Sequence, residues 1–382
     1  MDFQTIKKLD LKGKVVILRV DINSEIIGGK LQNNPRFEAH SKTIKFLKSK
    51  KAKIVILAHQ GSPGENDFIS LEQHAKILSK YTKVKFVKDI IGKQALNEIG
   101  KLKNGEALLL ENVRFLKEEF DTSDTNRLVK ALSMKSDYYV NDAFSVSHRN
   151  QASIVSFPKV LPSFIGLTME SELENISRLK EKSKNALFIF GGKKTKDLLP
   201  FLNNRKILST GTLSLLCLLA KSYNLGKEKD MLKNDLKFID EIKPYLKNII
   251  TPVDFAVSVN GKRKNIGIND LPSKYPIYDI GDKTIELYKK EIKNAEIIFF
   301  KGAVGKIEEK NFQKGTRELL KEIARNKSHV FSVISGGSSA LAINKFKISK
   351  NSYSYISLSG GALVHYLAGE NLPGLEALKD KR

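Results

Sequence analysis

The sequence predicts an α/β protein with two domains, each built on a parallel sheet with helices on both faces. Short apolar runs alternate with helix-length amphipathic segments along the whole chain. The runs are apolar almost throughout, which is typical of parallel strands buried on both faces. At 382 residues the chain is also longer than one ordinary hydrophobic core requires.

Five apolar runs predict the strands of the first domain. They cover residues 15–22, 53–59, 84–87, 107–113 and 137–142. Amphipathic segments between them predict helices, for example at 38–50 and 70–81. In the second of these, Ser70 and Gln73 have the spacing of a capping box, so we expect them to bond reciprocally at the start of the helix.

Seven further runs predict the strands of the second domain. They cover residues 185–192, 205–210, 250–257, 276–281, 296–302, 329–337 and 355–361. The segment 169–185 is charged and contains no strand signal, so we expect it to form a helix that connects the two halves. The expected domains are therefore residues 1–168 and 186–365.

The composition indicates an anionic partner. The chain has 66 Lys and Arg residues against 42 Asp and Glu, which gives a formal charge of +24. The partner could be nucleic acid or phosphorylated metabolites. Only 11 of the basic residues are arginines and the lysines are spread along the chain, which favours a solvated surface over a nucleic-acid groove.

The cysteine count and the apolar runs bear on cellular context. The single cysteine, Cys217, excludes an internal disulfide, and its apolar surroundings predict a buried, unreactive thiol. The first ten residues lack the apolar core of a signal peptide, and no run approaches the length of a membrane span. We therefore expect a soluble cytoplasmic protein that binds neither membrane nor nucleic acid.

Charged residues collect at the predicted strand ends of the first domain. They are Asp21, Asn23, His59, Arg114, Asn141, Asp142, His148 and Arg149, with Arg36 at the start of the first connecting segment. Arginines around one crevice suit a small anion with several charges, because each guanidinium can bind bidentately. Asp142 is expected to brace a turn, whereas His59 and His148 could be either structural or ligand-binding. Arg114 follows a buried strand directly, which favours a functional role.

Glycines replace these charges at the strand ends of the second domain. The segments "FGGKK", "FFKGAVG", "VISGGSS" and "LSGGAL" each lie between a predicted strand and a predicted helix. Backbone N–H groups at a helix N-terminus can bind phosphate, and glycine allows phosphate to approach closely. Tight strand–helix turns also use glycine, so one pair would be weak evidence, but four such turns favour a phosphate site.

Common nucleotide-binding and catalytic motifs are absent from the chain. It contains no P-loop, no G-x-G-x-x-G fingerprint, no H-E-x-x-H, no G-x-S-x-G and no protein-kinase catalytic loop. A domain that binds an anionic substrate, followed by one that binds phosphate, indicates phosphoryl transfer between two small molecules.

Eleven segments resemble, in the same order, motifs of the phosphoglycerate kinase family. In the first half they are "RVDIN", "NNPRFEAH", "AHQGSP", "LLENVRF" and "NDAFSVSHRNQAS". In the second half they are "GGKKTKD", "PVDFAV", "YDIGDKT", "KGAVGKIEE", "ISGGSSA" and "LSGGALVHYLAGENLPGLEAL". The resemblance covers essentially the whole chain and looks closest to the archaeal branch of the family.

The resemblance implies two Rossmann-like three-layer domains, joined by a central helix, with a cleft between them. The first domain would bind 3-phosphoglycerate, the second would bind the nucleotide, and the C-terminal tail 366–382 would pack on the first. The implied reaction is the reversible transfer of the acyl phosphate of 1,3-bisphosphoglycerate to ADP in glycolysis and gluconeogenesis. Mg²⁺ would be held mainly by the nucleotide phosphates, no protein ligand for it is assigned, and the protein would be a monomer that closes by hinge-bending.

The resemblance also implies roles for individual residues. The substrate-binding residues would be Asp21, Asn23, Arg36, His59, Gly61, Ser62, Arg114 and Arg149. The nucleotide-binding residues would be Gly191, Gly192, Lys194, Glu308, Ser335, Gly336, Gly337 and Ser338. The catalytic group would be Arg36, Lys194, Gly360 and Gly361, in which the cations neutralise the moving phosphoryl group and the glycines supply amide donors. Lys193 and Lys196 would be surface charges.

Several positions depart from the family pattern, mostly on the nucleotide side. They are Ser62 for an arginine, Leu198 for a second lysine, Lys301 and Ala303 for the asparagine and proline of "NGP", Ser338 for an aspartate, and Leu358 with Ser359 in the last glycine turn. An active kinase and a weakened homologue that only binds acidic metabolites or a partner are therefore both considered. Nucleic-acid binding through net charge is a third hypothesis.

Overall fold

The computed structural model describes residues 3–181, 186–203 and 205–379. Two units make up the chain: the first contains the residues up to Glu174 and those from Gly361 onward, and the second is Asn175–Gly360. The division therefore lies inside the helix Leu167–Glu181, which overlaps the predicted connector. Residues 182–185 of that connector lie outside the described residues.

The first unit contains a six-stranded parallel sheet and a small two-stranded one. The strands are β1 Val15–Arg19, β2 Ile26–Ile27, β3 Lys30–Leu31, β4 Lys53–Leu57, β5 Lys85–Val87, β6 Ala107–Leu110, β7 Tyr138–Asn141 and β8 Ser163–Ile165. The order in the six-stranded sheet is β5-β6-β4-β1-β7-β8. β2 and β3 form a separate antiparallel hairpin. All five predicted strands are present, although each is shorter than its apolar run, and β8 is a short edge strand that the sequence pattern missed.

Helices cover this sheet. They are α1 Pro35–Ser49, α2 Glu72–Leu78, α3 Lys93–Lys101, α4 Arg127–Ser133, α5 Ala152–Val155 and α6 Leu167–Glu181. Short 3₁₀ helices occupy Ile6–Lys8, Val113–Phe115, Lys117–Phe120, Phe144–Val146 and Phe157–Lys159. The buried residues of β1 and β4, including Val16, Leu18, Ile54 and Ile56, form the centre of one hydrophobic core. Strands buried in this way require the near-continuous apolar sequence that they have.

The capping-box prediction for α2 was wrong. Ser70 donates its hydroxyl to Glu111 at 2.6 Å and accepts only from Glu72 N, at 3.3 Å. Gln73 instead accepts from the backbone N–H of Leu31 at 2.9 Å, so it ties α2 to the β3 hairpin. Residues distant in the sequence offered both side chains better partners than the helix start did.

The second unit contains another six-stranded parallel sheet and a smaller sheet. The strands are β9 Leu187–Phe190, β10 Lys206–Ser209, β11 Ile249–Ile250, β12 Asp254–Val259, β13 Lys262–Gly267, β14 Ile277–Ile280, β15 Ile297–Lys301, β16 Phe331–Ser335 and β17 Tyr355–Ser357. The order in the six-stranded sheet is β11-β10-β9-β15-β16-β17. Numbered within the sheet, the order is 3-2-1-4-5-6, which is the order of dinucleotide-binding folds. The prediction of two α/β units with parallel sheets is confirmed.

One part of the second unit differs from the predicted alternation of parallel strands and helices. β12 and β14 correspond to two of the predicted strands, but they lie in a three-stranded antiparallel sheet with β13. β13 is polar and none of its residues is buried, so it carries no apolar signal that could have predicted it. The apolar runs of β12 and β14 do not by themselves reveal the direction of their neighbours.

Helices of the second unit lie between its strands. They are α7 Gly211–Ala220, α8 Glu228–Met231, α9 Ile239–Ile242, α10 Asp282–Lys293, α11 Lys314–Arg325 and α12 Gly337–Lys345. Its 3₁₀ helices are Thr195–Phe201, Leu236–Phe238, Lys243–Asn248, Ile268–Asp270, Lys310–Phe312 and Lys350–Ser352. Cys217 is buried in α7 as predicted, and burial raises the pKa of its thiol to about 12. In the described part of the chain, no helix has both the length and the apolar character needed to cross a membrane.

The C-terminal segment belongs to the first unit. It contains α13 Gly361–Leu367 and α14 Pro373–Glu376. Gly374 N donates to Ser147 O at 2.8 Å, and Ala377 packs against a small core that includes Val146 and Ile154. A Cβ at Gly374 would lie 2.7 Å from Ile154, so this close approach requires a glycine.

Candidate functional site

In the first unit, three neighbouring strands bring candidate residues to one edge of the sheet. β1 lies between β4 and β7, and all three run parallel. Their carboxyl ends lead into Asp21, His59 and Asp142. The strand order reverses beside β1, and ligands of open α/β sheets bind at such a switch point. The predicted substrate residues therefore lie where the topology favours a ligand site.

A buried ion pair joins Asp21 to Arg36. The Arg36 guanidinium lies 2.8 Å from Asp21 Oδ2, and the Ser145 hydroxyl donates to the same oxygen. Burial raises the pKa of Asp21, but the charge of Arg36 and the hydrogen bond from Ser145 outweigh it and hold the pKa below its usual range. Arg36 is at the start of α1, because Asn34 caps that helix by accepting from Arg36 N at 2.9 Å. Asp21 is thus a carboxylate that orients a guanidinium.

His59 is held by Arg19, a residue that the sequence analysis did not select. An Arg19 nitrogen lies 3.3 Å from His59 Nδ1. Since a guanidinium only donates, Nδ1 must accept, and the proton of the neutral ring is on Nε2. Burial, followed by the charge of Arg19, lowers the pKa of His59 well below its usual value. Arg19 also donates to Ser153 Oγ at 2.8 Å, and Ser153 in turn donates to Glu119. The sequence feature that could have predicted this network is Arg19 itself, a charged residue at the end of an apolar strand.

Asp142 has the structural role that the sequence predicts. Its Oδ1 accepts from the N–H groups of Thr168 and Met169 at 2.8 and 3.1 Å, which caps the start of α6. Its Oδ2 lies 2.8 Å from His40 Nδ1. His40 Nε2 accepts from Asp21 N, so His40 is a neutral ring that donates to Asp142. This chain of bonds braces Asp21 from behind.

Arg114 connects the remaining candidates of the first unit. It donates to Gly61 O at 2.5 Å and lies 3.3 Å from Ser62 Oγ. Gly61 N in turn donates to Asn23 Oδ1 at 3.2 Å. Gly61 has φ +64°, and a Cβ there would lie 2.5 Å from the Asp67 backbone, so only glycine fits this turn.

The site of the first unit is short of negative charge. Burial, and then the charges of Arg149 and Arg19, lower the pKa of Arg114 to about 10. Arg149 itself is exposed, and its charge also lowers the pKa of His59. The Nε atom of Arg114 is buried without a hydrogen-bond partner among the described residues. A polyanion would relieve the repulsion between these guanidiniums and use their remaining donors.

In the second unit, the four glycine-containing turns follow adjacent strands. The strands are β9, β15, β16 and β17, which lie side by side in the sheet. The strand order reverses between β9 and β15, so the Gly191 and Gly302 turns flank the switch point. The predicted nucleotide-binding turns therefore form one continuous edge.

The turns after β9 and β15 are packed back to back. Gly191 N donates to Lys301 O and Gly192 N donates to Ala303 O, each at 2.8 Å. A Cβ on Gly191 would lie 2.3 Å from Ala303 O, and one on Gly302 would lie 2.3 Å from Gly191 O. Because both N–H groups already donate to backbone carbonyls, they are not available to a nucleotide. Gly191 and Gly192 can still let a nucleotide approach the backbone closely, since neither has a side chain.

The turn after β16 leaves its amides available. Gly336 has φ +94° and precedes α12, whose first residues Gly337 and Ser338 are exposed. The first N–H groups of a helix have no partner within it. Ser335 points elsewhere, since its hydroxyl donates to Ser359 O at 2.9 Å and ties the turn after β16 to the one that leads to Gly360 and Gly361.

Lys194 is exposed at the turn after β9, as the predicted phosphate contact must be. Lys301, at the end of β15, is buried, and its Nζ lies 3.3 Å from Asp197 Oδ2. Leu198, on the same short helix as Asp197, is buried in the core. Glu308 is exposed in the loop before α11, and its side chain takes part in no hydrogen bond or ion pair among the described residues. Lys301 and Asp197 were not selected from the sequence as ligand contacts.

The described residues contain no group of three or more His, Cys, Asp or Glu side chains close enough to hold a metal ion. Asp197, the carboxylate that pairs with Lys301, is only partly exposed. A protein-held metal cage is therefore not part of the described structure.

Comparisons with known proteins agree with this geometry. A family model described as "Phosphoglycerate kinase" matches residues 6–370. The phosphoglycerate kinase of Methanothermus fervidus is 40% identical over 100% of this chain and 98% of its own length. That of Sulfurisphaera tokodaii is also 40% identical, over 99% of this chain and 96% of its own length. Both organisms are archaea, as the resemblance implies.

Solved structures give the same result. The crystal structure of phosphoglycerate kinase from Pyrococcus horikoshii has a TM-score of 0.91 and 36% identity, and covers 98% of each chain. The structure of phosphoglycerate kinase from Coxiella burnetii has a TM-score of 0.80 and 30% identity over the same shares.

Proposed function

The chain belongs to the phosphoglycerate kinase family, and from this membership we propose how its own residues perform the reaction. The enzyme is a phosphotransferase with a carboxyl group as acceptor. It catalyses the reversible transfer of the acyl phosphate of 1,3-bisphosphoglycerate to ADP, which gives 3-phosphoglycerate and ATP. The observation that supports our assignment of residues is the excess of cations over carboxylates at the sheet edges of both units.

The first unit binds the three-carbon substrate in this proposal. Its guanidiniums Arg36, Arg114 and Arg149 match a ligand with a phosphate at one end and a carboxylate or acyl phosphate at the other. Asp21 orients Arg36, and His59 offers its Nε2–H as a neutral donor. Asn23, Gly61 and Ser62 complete the binding surface, with Ser62 in place of an arginine.

The second unit binds the nucleotide. Its glycine turns approach the phosphates, the exposed start of α12 offers amides from Gly337 and Ser338, and Lys194 contacts the phosphoryl group that moves. Glu308 binds the ribose. The turn at Gly360 and Gly361 supplies further amide donors during transfer.

Transfer between these groups needs no general base. A carboxylate or a phosphate oxygen is already an adequate nucleophile, so catalysis consists of positioning and of charge neutralisation. Arg36 and Lys194 hold positive charge against the phosphoryl group as it moves, and amides hold its oxygens.

Mg²⁺ and the remaining features are also proposals. The donor set fits an ion that arrives on the nucleotide, because Mg²⁺ keeps several waters and needs few protein carboxylates. When bound, it adds positive charge to the phosphates. We further propose a cytoplasmic monomer with only small-molecule partners and a hinge-bending motion during turnover that excludes water.

A coupled assay tests the function. Purified protein with 1,3-bisphosphoglycerate and Mg-ADP should form ATP, and Arg36→Ala should lower kcat by about a hundredfold or more, since it removes transition-state charge stabilisation. Wild-type turnover no higher than that of Arg36→Ala would contradict catalysis and favour a protein that only binds acidic metabolites.

A further inference from the structure

Lys301 is a buried cation with unused hydrogen-bonding capacity. Its side chain is 11% exposed, and its ammonium makes one hydrogen bond among the described residues, to Asp197 at 3.3 Å. An ammonium has three donors, so two remain without a partner in the described structure. A buried lysine normally requires full pairing, because removal of its charge from water is costly.

The position of Lys301 directs this charge to the nucleotide side. It is the last residue of β15, and its backbone carbonyl accepts from Gly191 at the switch point. Side chains two residues apart on a strand share a face. Phe299 lies on that face against Phe201, so Lys301 extends over the same short helix, Thr195–Phe201, towards its first turn.

The local charges do not balance. Lys194 begins this helix and lies close enough to act electrostatically on Lys301, while Asp197 is the one carboxylate paired with Lys301 among the described residues. Burial, with a further contribution from Lys194, lowers the pKa of Lys301 although Asp197 opposes this. Lys301 is paired with one partly exposed carboxylate, and Lys194 forms no ion pair among the described residues, which leaves positive charge for an anion.

We propose that Lys301 is a second phosphate-binding lysine, which contacts the terminal phosphates of the bound nucleotide together with Lys194. This rests on the proposed function of the second unit and adds a binding residue to it. Leu198 is buried and provides no charge, so the second cation comes from the neighbouring strand. Asp197 holds Lys301 in place until phosphate oxygens take up its free donors.

The test compares nucleotide affinities of the full-length protein. Calorimetry with ADP and with AMP, both in EDTA, is performed on wild type, Lys301→Met and Lys193→Met. Lys301→Met should weaken ADP binding about tenfold, the effect of a lost hydrogen bond to a charged group, and change AMP binding by less than about threefold. Lys193→Met, which changes an exposed lysine next to Lys194, should bind both ligands like wild type.

A further variant separates phosphate binding from a structural ion pair. Asp197→Asn removes the competing carboxylate, so it should bind ADP at least as tightly as wild type. Equal losses in Asp197→Asn and Lys301→Met, or unchanged ADP affinity in a folded Lys301→Met protein, would overturn the proposal. Folding is checked by circular dichroism and thermal unfolding.

The same variants distinguish a failure of phosphate binding by Lys301 from a failure of the proposed kinase activity. In the coupled assay, Lys301→Met should raise KM for Mg-ADP and leave KM for 1,3-bisphosphoglycerate within about twofold. If wild type has no turnover, the proposed function fails, while the calorimetric comparison still decides whether Lys301 binds phosphate.

Discussion

At the scale of single residues, buried neighbours decide the protonation state of His59. Arg19 donates to its Nδ1, so a second proton there would require two donors to face each other. Burial, with Arg19, lowers the pKa well below the usual value. Because the folded pKa is depressed, the unfolded chain takes up a proton first as the pH falls, and stability from this group is lost below about pH 6.5.

We predict that His59 remains neutral from pH 5.5 to 8.5 in the free protein. Its imidazole NMR signals, assigned with a His59→Gln variant, should not shift over this range. A His59 titration with a midpoint near 6.5 would contradict the Arg19 contact.

We expect Lys194 and Lys193 to differ in role, although they are adjacent and both exposed. We predict that Lys194→Ala lowers kcat by about a hundredfold, because it removes positive charge from the phosphoryl group in the transition state. Lys193→Ala should change kcat by less than about twofold. Steady-state kinetics in the coupled assay measures both, and similar losses in the two variants would argue against a specific role for Lys194.

At the scale of elements, the back-to-back packing of the turns after β9 and β15 depends on glycine. Gly302 has φ +90°, and a Cβ there would lie 2.3 Å from Gly191 O, a backbone atom that cannot move aside alone. Any other residue at this position would therefore be strained by the positive φ, and its Cβ would overlap the Gly191 carbonyl.

We predict that Gly302→Ala destabilises the second unit by about 3 kcal/mol, from left-handed strain together with overlap. Thermal unfolding measures the loss of stability, and hydrogen exchange in β9 and β15 shows whether the loss lies in the second unit. Gly337→Ala is the matched control for stability, because it lies at the start of α12 with open space around it. It should gain a few tenths of a kcal/mol, and equal stability of the two variants would contradict the packing argument.

At the scale of the whole molecule, each unit has its own hydrophobic core. One core is built around β1 and β4, and another around β9, β15 and β16. A ligand that binds one unit should therefore stabilise that unit first, by about 2.7 kcal/mol at a hundred times its Kd.

We predict that 3-phosphoglycerate slows hydrogen exchange chiefly in the loops after β1 and β4, and that ADP slows it chiefly in the turns after β9, β15 and β16. Exchange mass spectrometry with each ligand alone measures this. Protection of the second unit by 3-phosphoglycerate alone would contradict the assignment of substrates to units.

Local patterns were enough to predict much of this protein. The α/β class follows from apolar runs, and the glycine turns follow from their place after strands. The cluster of Asp21, Arg36 and Arg114 follows because carboxyl ends of parallel strands share an edge. Each of these inferences uses only neighbouring residues and the geometry of a parallel sheet.

Other features were decided only by the tertiary structure. Four of these features join residues that are far apart in the chain. They are the occupied amides of Gly191 and Gly192, the pairing of Lys301 with Asp197, the Arg19 contact that sets the His59 tautomer, and the antiparallel sheet of β12 to β14. The physical reason is that hydrogen bonding, burial and charge depend on which distant groups come together. The sequence by itself determined which groups stand at the strand ends, and the fold decided which of them remain available to a ligand.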